Sequence, residues 1–379
     1  MKYYTELLKI IEGGIKKDSQ KVNDYATLLA KKLKDDGEEK KSQRIEKILM
    51  KSGSFDENTI NYSRQVPFDS ESKLEVATVL MPIQIEEKTL FYNESLRQQI
   101  DEFIDSYKES DRLASYGLNI PSTLLLYGPP GCGKTELAFF IAKRLNLPIV
   151  IARLDTLISS YLGSTSKNIR MLFEYAKKNP CILFLDEFDA IAKLRDDVNE
   201  QGELKRVVNS LLQNIDFLND RSVLIGATNH ENLLDKAIWR RFGTRLNISY
   251  PERQLRREII IQILSDIGYN TYKRNFLDVL VDLFESLSVA DIEQILKKSV
   301  RTAVLKNRET EFLDFIEGYF NYIATDVNLD GDPDAVRREK LKFLLKINPS
   351  FSLRMLGQIL NCHHNTIRSD FKKIQGELE

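Results

Sequence analysis

Gly128-Pro129-Pro130-Gly131-Cys132-Gly133-Lys134-Thr135 decides the reading of this chain. It fits the pattern G-x-x-x-x-G-K-[ST], follows the apolar run Leu124 to Tyr127, and opens a helical pattern from Glu136 to Leu145. Glycines there let successive backbone N–H groups curl around a phosphate, and the helix N-terminus adds a favourable dipole. Lys134 supplies a point charge, and the Thr135 hydroxyl can ligate Mg²⁺. Cys132 fills a variable slot of the loop, and Glu136 is the first residue past it.

Working outward, short apolar runs alternate with amphipathic segments between about Leu90 and Pro251. Leu124 to Tyr127, Pro148 to Ala152, Cys181 to Leu185, Ser222 to Ala227 and Arg245 to Ser249 read as strands, with helices between the first four. Nearly unbroken apolar strands alternating with helices predict an α/β fold with a parallel sheet covered on both faces. The run Ile182-Leu183-Phe184-Leu185-Asp186-Glu187 puts two carboxylates at a strand's C-terminal end, where open α/β sheets place ligands. Asp186 can hold the shell of a Mg²⁺ ion, and Glu187 can orient and polarise an attacking water.

These residues resemble the AAA+ ATPases, specifically the AAA clade of protein-remodelling enzymes, over about Leu90 to Ala324. The resemblance implies ATP and Mg²⁺ as cofactors and hydrolysis as the reaction. It places Asn229, in Gly226-Ala227-Thr228-Asn229, against the γ-phosphate or the lytic water. Leu234 to Gly243 looks like the region that sends arginines into a neighbouring subunit's site, with Arg241 the first choice and Arg240 the second. Thr244 stands where some members carry a further arginine, a role that Arg240 or Arg245 could take over. Ser288-Val289-Ala290-Asp291 resembles the lid segment that places Ala290 near the base, and Tyr116-Gly117-Leu118 the segment whose backbone, at Gly117, meets the adenine edge. Ser160-Tyr161-Leu162-Gly163 resembles a pore loop in which Tyr161 and Leu162 grip an extended polypeptide, which implies a hexameric ring and a protein substrate.

The domain boundaries expected are a helical hairpin over 1–52, a linker and lead-in over 53–89 and a nucleotide-binding part over 90–252. An all-α lid over 253–324, a linker over 325–335 and a helix-turn-helix-like part over 336–379 follow. From Val336 to Ile374 nine Lys or Arg face only Glu339 and Asp370, a local balance of +7 in a chain whose net charge is -1. If this tail binds DNA, Asn365, Thr366 and Arg368 face the major groove, whereas a protein-binding cap with a solvated basic face is the alternative. As a whole the chain is similar to the ATPase partner of a subtilisin-like serine protease in bacterial two-gene phage-defence modules. A DNA-acting ATPase, a loader or regulator, is the second function left open.

The 42% hydrophobic and 29% charged composition of 379 residues excludes a disordered chain. Membrane insertion is not expected, because no apolar run approaches the roughly 20 residues a span needs. The N-terminus lacks the pattern of a signal peptide, and Cys132, Cys181 and Cys362 lie too far apart for a disulfide framework, so the cytoplasm is the expected compartment. Asp326 to Gly331 imitates the start of a calcium loop but meets Arg337 at its twelfth position, and Cys362-His363-His364 has no second ligand cluster.

Overall fold

A computed structural model describes residues 3–15, 19–39, 41–42, 44–45, 77–118, 122–153, 162–190, 201–218, 221–269, 274–323, 332–347, 349 and 351–376. Its centre is a six-stranded sheet made of β1 (Thr78–Leu80), β2 (Thr123–Tyr127), β3 (Ile149–Arg153), β4 (Ile182–Asp186), β5 (Val223–Thr228) and β6 (Thr244–Asn247). The order across the sheet is β1-β3-β4-β5-β2-β6. All pairings are parallel except β1 with β3. The five strands expected from sequence are present within a residue or two. β1 falls inside the stretch read as linker and lead-in.

Side chains of β2 alternate between two cores, as a pleated strand dictates. Leu124 and Leu126 pack with Ile141 and Phe103 from the helices Lys134–Leu145 and Glu94–Lys108 on one face. Leu125 packs with Phe173 and Leu211 from the helices Leu162–Lys178 and Gln201–Asp216 on the other. Both faces are therefore dry, and function is confined to the strand ends and the loops that follow them.

A third core holds seven helices among the described residues: Arg253–Asp266, Arg274–Leu283, Val289–Leu305 and Phe312–Tyr322, then Pro333–Ile347, Leu353–Ile359 and His364–Gly376. Sequence reading separates the lid from the C-terminal part at 325–335, yet the described helices on both sides of that stretch share one apolar core. Phe320 and Tyr319 meet the ring of Phe343, and Leu341, Leu344, Ile367 and Ile374 join the same cluster. Apolar periodicity marks the inward face of each helix but not which neighbour will cover it.

Near the N-terminus, Tyr4–Ile15 and Ser19–Asp35 form two helices. Tyr3 hydrogen-bonds Asp36, and Lys32 pairs with Glu6 at 2.5 Å, which sets the two helices antiparallel. No helix among the described residues is long and apolar enough to cross a membrane.

Candidate functional site

The phosphate loop joins β2 to the helix Lys134–Leu145 at the C-terminal edge of the sheet. Gly128, Gly131 and Gly133 have φ of +135°, +73° and +95°, a region that side chains with a Cβ rarely adopt. Crowding adds to that requirement at Gly128, where a Cβ would lie 2.3 Å from the Ile248 carbonyl oxygen. Lys134 is buried, and its Nζ donates to the carbonyls of Gly128 and Pro129, both at 2.7 Å. Burial pulls the Lys134 ammonium below its ordinary pKa, while Asp186, Glu231 and Asp189 act in the opposite direction. Cys132 is also buried, and burial pushes its thiol upward, so it is no thiolate nucleophile at neutral pH.

Across the loop, the Thr135 hydroxyl lies 3.5 Å from Asp186 Oδ2 at the end of β4. The next residue, Glu187, has φ +53°, an uncommon value for a residue with a side chain, and its N–H donates to Asp186 Oδ1 at 2.9 Å. Phe188 N–H donates to the Ala227 carbonyl at 2.8 Å, and Thr228 Oγ1 donates to Asp189 at 3.2 Å. These bonds tie the end of β4 to the end of β5, so Glu187 and Asn229 stand on neighbouring strands at one edge. The half-buried Asn229 carboxamide makes no hydrogen bond within the described chain.

The lid closes onto the loop. The helix Val289–Leu305 starts with a capping box in which Ser288 Oγ accepts from Asp291 N–H at 3.2 Å. From its first turn Ala290 N–H donates to the Gly131 carbonyl at 3.1 Å. Contact is close enough that a Cβ on Gly131 would sit 2.4 Å from Ser288 Oγ and 3.1 Å from Ala290 Cβ. Ala290 is thus beside the phosphate loop.

Sequence reading missed a second contact. Tyr92 Oη donates to the Gly133 carbonyl at 3.3 Å, Lys88 pairs with Glu136 at 2.7 Å, and Phe91 packs into the lid core. Burial raises the Tyr92 phenol far above its ordinary pKa, so it stays a neutral donor. The segment 88–92 therefore straps the phosphate loop to the lid, and the paired aromatics directly before the helix cap Asn93 were its signal. Gly117, by contrast, follows the short helix Ser110–Ser115 with φ +73° and open space where a Cβ would be, and its N–H donates to the Ala114 carbonyl rather than to the loop.

Of the arginines near the end of the helix Lys236–Trp239, Arg241 is occupied inside its own chain. Its Nε and Nη2 each meet an Asp216 carboxylate oxygen at 2.8 Å, and Nη1 donates to the Ala237 carbonyl at 2.9 Å. Arg245 donates to the Trp239 carbonyl at 2.6 Å and lies over the Trp239 ring. Arg240 is exposed and has no partner among the described residues. Thr244 opens β6 opposite Leu124, a strand position. Of the two arginines expected to reach a neighbour, Arg241 is thus held by Asp216 and Ala237 of its own chain, whereas the Arg240 guanidinium is not held within the described chain.

Tyr161 lies outside the described residues, and Leu162 opens the helix Leu162–Lys178. In the C-terminal part Asn365 and Arg368 are exposed, while Thr366 is half-buried. Cys362 and His363 do not form part of any metal-holding cluster among the described residues.

Residues 124–250 match the family model of the ATPase family associated with various cellular activities (AAA). An AAA family ATPase of Sinorhizobium fredii is 40% identical over 212 residues, 54% of this chain and 61% of that protein. Proteasome-activating nucleotidase 1 of Haloferax volcanii is 34% identical over 222 residues, 55% of this chain and 53% of that protein. The matched stretch thus spans between about half and three fifths of these relatives. In fold, the chain is similar to the crystal structure of the FIGL-1 AAA domain in complex with ADP, with a TM-score of 0.54 and 24% identity over 77% of this chain and 97% of that one.

Proposed function

We propose that this chain is a Mg²⁺-dependent ATPase of the AAA family that assembles into a ring and uses ATP hydrolysis to remodel or unfold protein. The observation that carries the reading is the meeting of Thr135 with Asp186 at 3.5 Å under a phosphate loop on which the lid residue Ala290 is docked. An uncharged hydroxyl and a carboxylate are the hard oxygen donors that suit Mg²⁺, which keeps its other positions for phosphate oxygens and water. The metal would neutralise charge on the transferred phosphoryl group. Lys134 binds the terminal phosphates, exchanging its contacts with the loop carbonyls for phosphate oxygens. Glu187 orients the attacking water and draws its proton, and Asn229, on the adjacent strand, holds the γ-phosphate or that water. Arg240 completes the site of the next subunit, where a guanidinium stabilises charge in the transition state.

Protein as the substrate is supported by two things: the relative named as a proteasome-activating nucleotidase, and the aromatic step at Tyr161-Leu162-Gly163. The resemblance of the whole chain extends the reading to a partner, a subtilisin-like serine protease of a bacterial phage-defence module that this ATPase gates or feeds. The test is turnover in the presence of a permanently unfolded protein such as casein. We expect stimulation in the natural protein and its loss in Tyr161→Ala, and we expect Glu187→Gln held in Mg-ATP to retain a serine protease encoded beside it. Turnover indifferent to casein, together with no retained protease, overturns the reading.

A further inference from the structure

We propose that the helix His364–Gly376 is a docking surface for duplex DNA, carried on the lid and separate from the nucleotide site. This goes beyond the remodelling reading and stands without it.

The helices Leu353–Ile359 and His364–Gly376 meet through a turn with little freedom. Cys362 N–H donates to the Gly357 carbonyl at 2.8 Å, and Asn361 takes a left-handed φ of +49°. A Cβ at Gly357 would lie 2.7 Å from the Cys362 carbonyl oxygen, so only glycine lets the turn pass this close. The second helix is held inward by Ile367 and Ile374, and by Asp370, which accepts from Arg337 Nε at 2.7 Å. Two helices joined by so short a turn, the second fixed along one face, is the arrangement that delivers a helix into a DNA groove.

What the second helix shows to the outside fits that partner. At about 100° per residue, Asn365, Arg368, Ser369 and Lys372 fall within an arc of about 100° opposite the buried Ile367, Asp370 and Ile374. All four are exposed, and Lys373 flanks them. Asp370 is the only acidic residue between 351 and 376, and it is 2% exposed and paired with Arg337. The exposed cations Arg354, Arg368, Lys372 and Lys373 are therefore offset by no exposed carboxylate on these two helices. A carboxamide near the start of the helix, at Asn365, is a side chain that reads purine edges, and Arg368 with the lysines further along suits phosphates. The major groove of B-form DNA admits a helix, whereas that of duplex RNA is too narrow and deep for its side chains. Thr366, expected to face the groove, sits at the flank of the stripe, and Lys372 takes its place.

Fluorescence anisotropy of the full chain with a labelled 30-base-pair duplex tests this, at 50 and 200 mM KCl. Four phosphate contacts predict about 150-fold weaker binding at the higher salt, falling to about 12-fold in the double variant Arg368→Ala, Lys372→Ala. At 50 mM that variant should bind the duplex at least about tenfold more weakly, since each lost contact removes a phosphate neutralisation. Its ATP turnover should equal that of the natural protein. No binding of the duplex at 50 mM KCl, or equal binding by the variant, overturns the proposal and leaves the ATPase reading intact. Displacement of the duplex by polyglutamate at equal concentration of charge also overturns it, because the face would then serve acidic protein.

Discussion

Gly131→Ala tests whether the lid truly rests on the phosphate loop. The added methyl carbon would stand 2.4 Å from Ser288 Oγ, well inside contact distance. Ser288 cannot simply turn away, because its hydroxyl is 2.5 Å from Asp291 Oδ2 and accepts from the Asp291 N–H. Giving up that cap costs about 1 kcal/mol. Forcing a methyl into a filled contact costs about 1–3 kcal/mol more. Gly133→Ala is the control: it has a comparable left-handed backbone at φ +95°, but its new Cβ meets only Tyr92 Oη, at 3.7 Å. Both variants share the left-handed strain of about 1–2 kcal/mol, so their difference isolates the lid contact at about 2–4 kcal/mol. Hydrogen exchange at the Ala290 amide reads that contact directly, since this amide donates to the Gly131 carbonyl. Exchange there should be about 30- to 900-fold faster in Gly131→Ala than in Gly133→Ala, as local opening follows the lost free energy. Equal rates in the two variants would refute the docked lid.

Four further outcomes rest on the same geometry. Arg240→Ala should bind ATP normally in an equilibrium assay and lose about 10³-fold or more in steady-state turnover, as loss of an arginine supplied in trans does. Arg241→Ala should instead lower the urea midpoint by an amount worth about 1–2 kcal/mol, because the half-exposed Asp216 and the Ala237 carbonyl lose their donor. Asp370→Asn should destabilise the C-terminal helices by about 2 kcal/mol in urea unfolding followed at Cys362 by thiol labelling, because Arg337 keeps only its contact with Asp334. Lys134→Ala should abolish ATP binding measured by calorimetry while leaving the far-ultraviolet circular dichroism unchanged.

How much of this was legible in the residues differs from one element to another. The β2 to β5 runs are apolar on both faces, and a parallel sheet is the arrangement that buries both, so the sheet could be read directly. β1 could not, because three residues at an antiparallel edge carry too little pattern to separate from a linker. Thr135 and Asp186 could be paired in advance because each terminates a strand or opens a helix at the same sheet edge. Arg241 could not be placed, because its partner Asp216 lies 25 residues away on another helix and an arginine's sequence context does not reveal who neutralises it. Tyr92 was legible only in part: the aromatic pair before Asn93 marks a contact, but its partner, the phosphate loop, is met only in the fold. The fused core of the lid and the tail depends on which helical faces meet, which amphipathic spacing leaves undetermined.

If each nucleotide site is completed by a neighbour, as proposed above, mixing two inactive variants restores activity. Lys134→Ala subunits should lack bound ATP yet still offer Arg240, whereas Arg240→Ala subunits should hold ATP without a finger. Mg-ATP turnover measured on each alone should be near background, and on an equimolar mixture it should rise well above both, because mixed rings contain interfaces with both groups intact. A mixture no more active than its components would overturn a site shared between subunits.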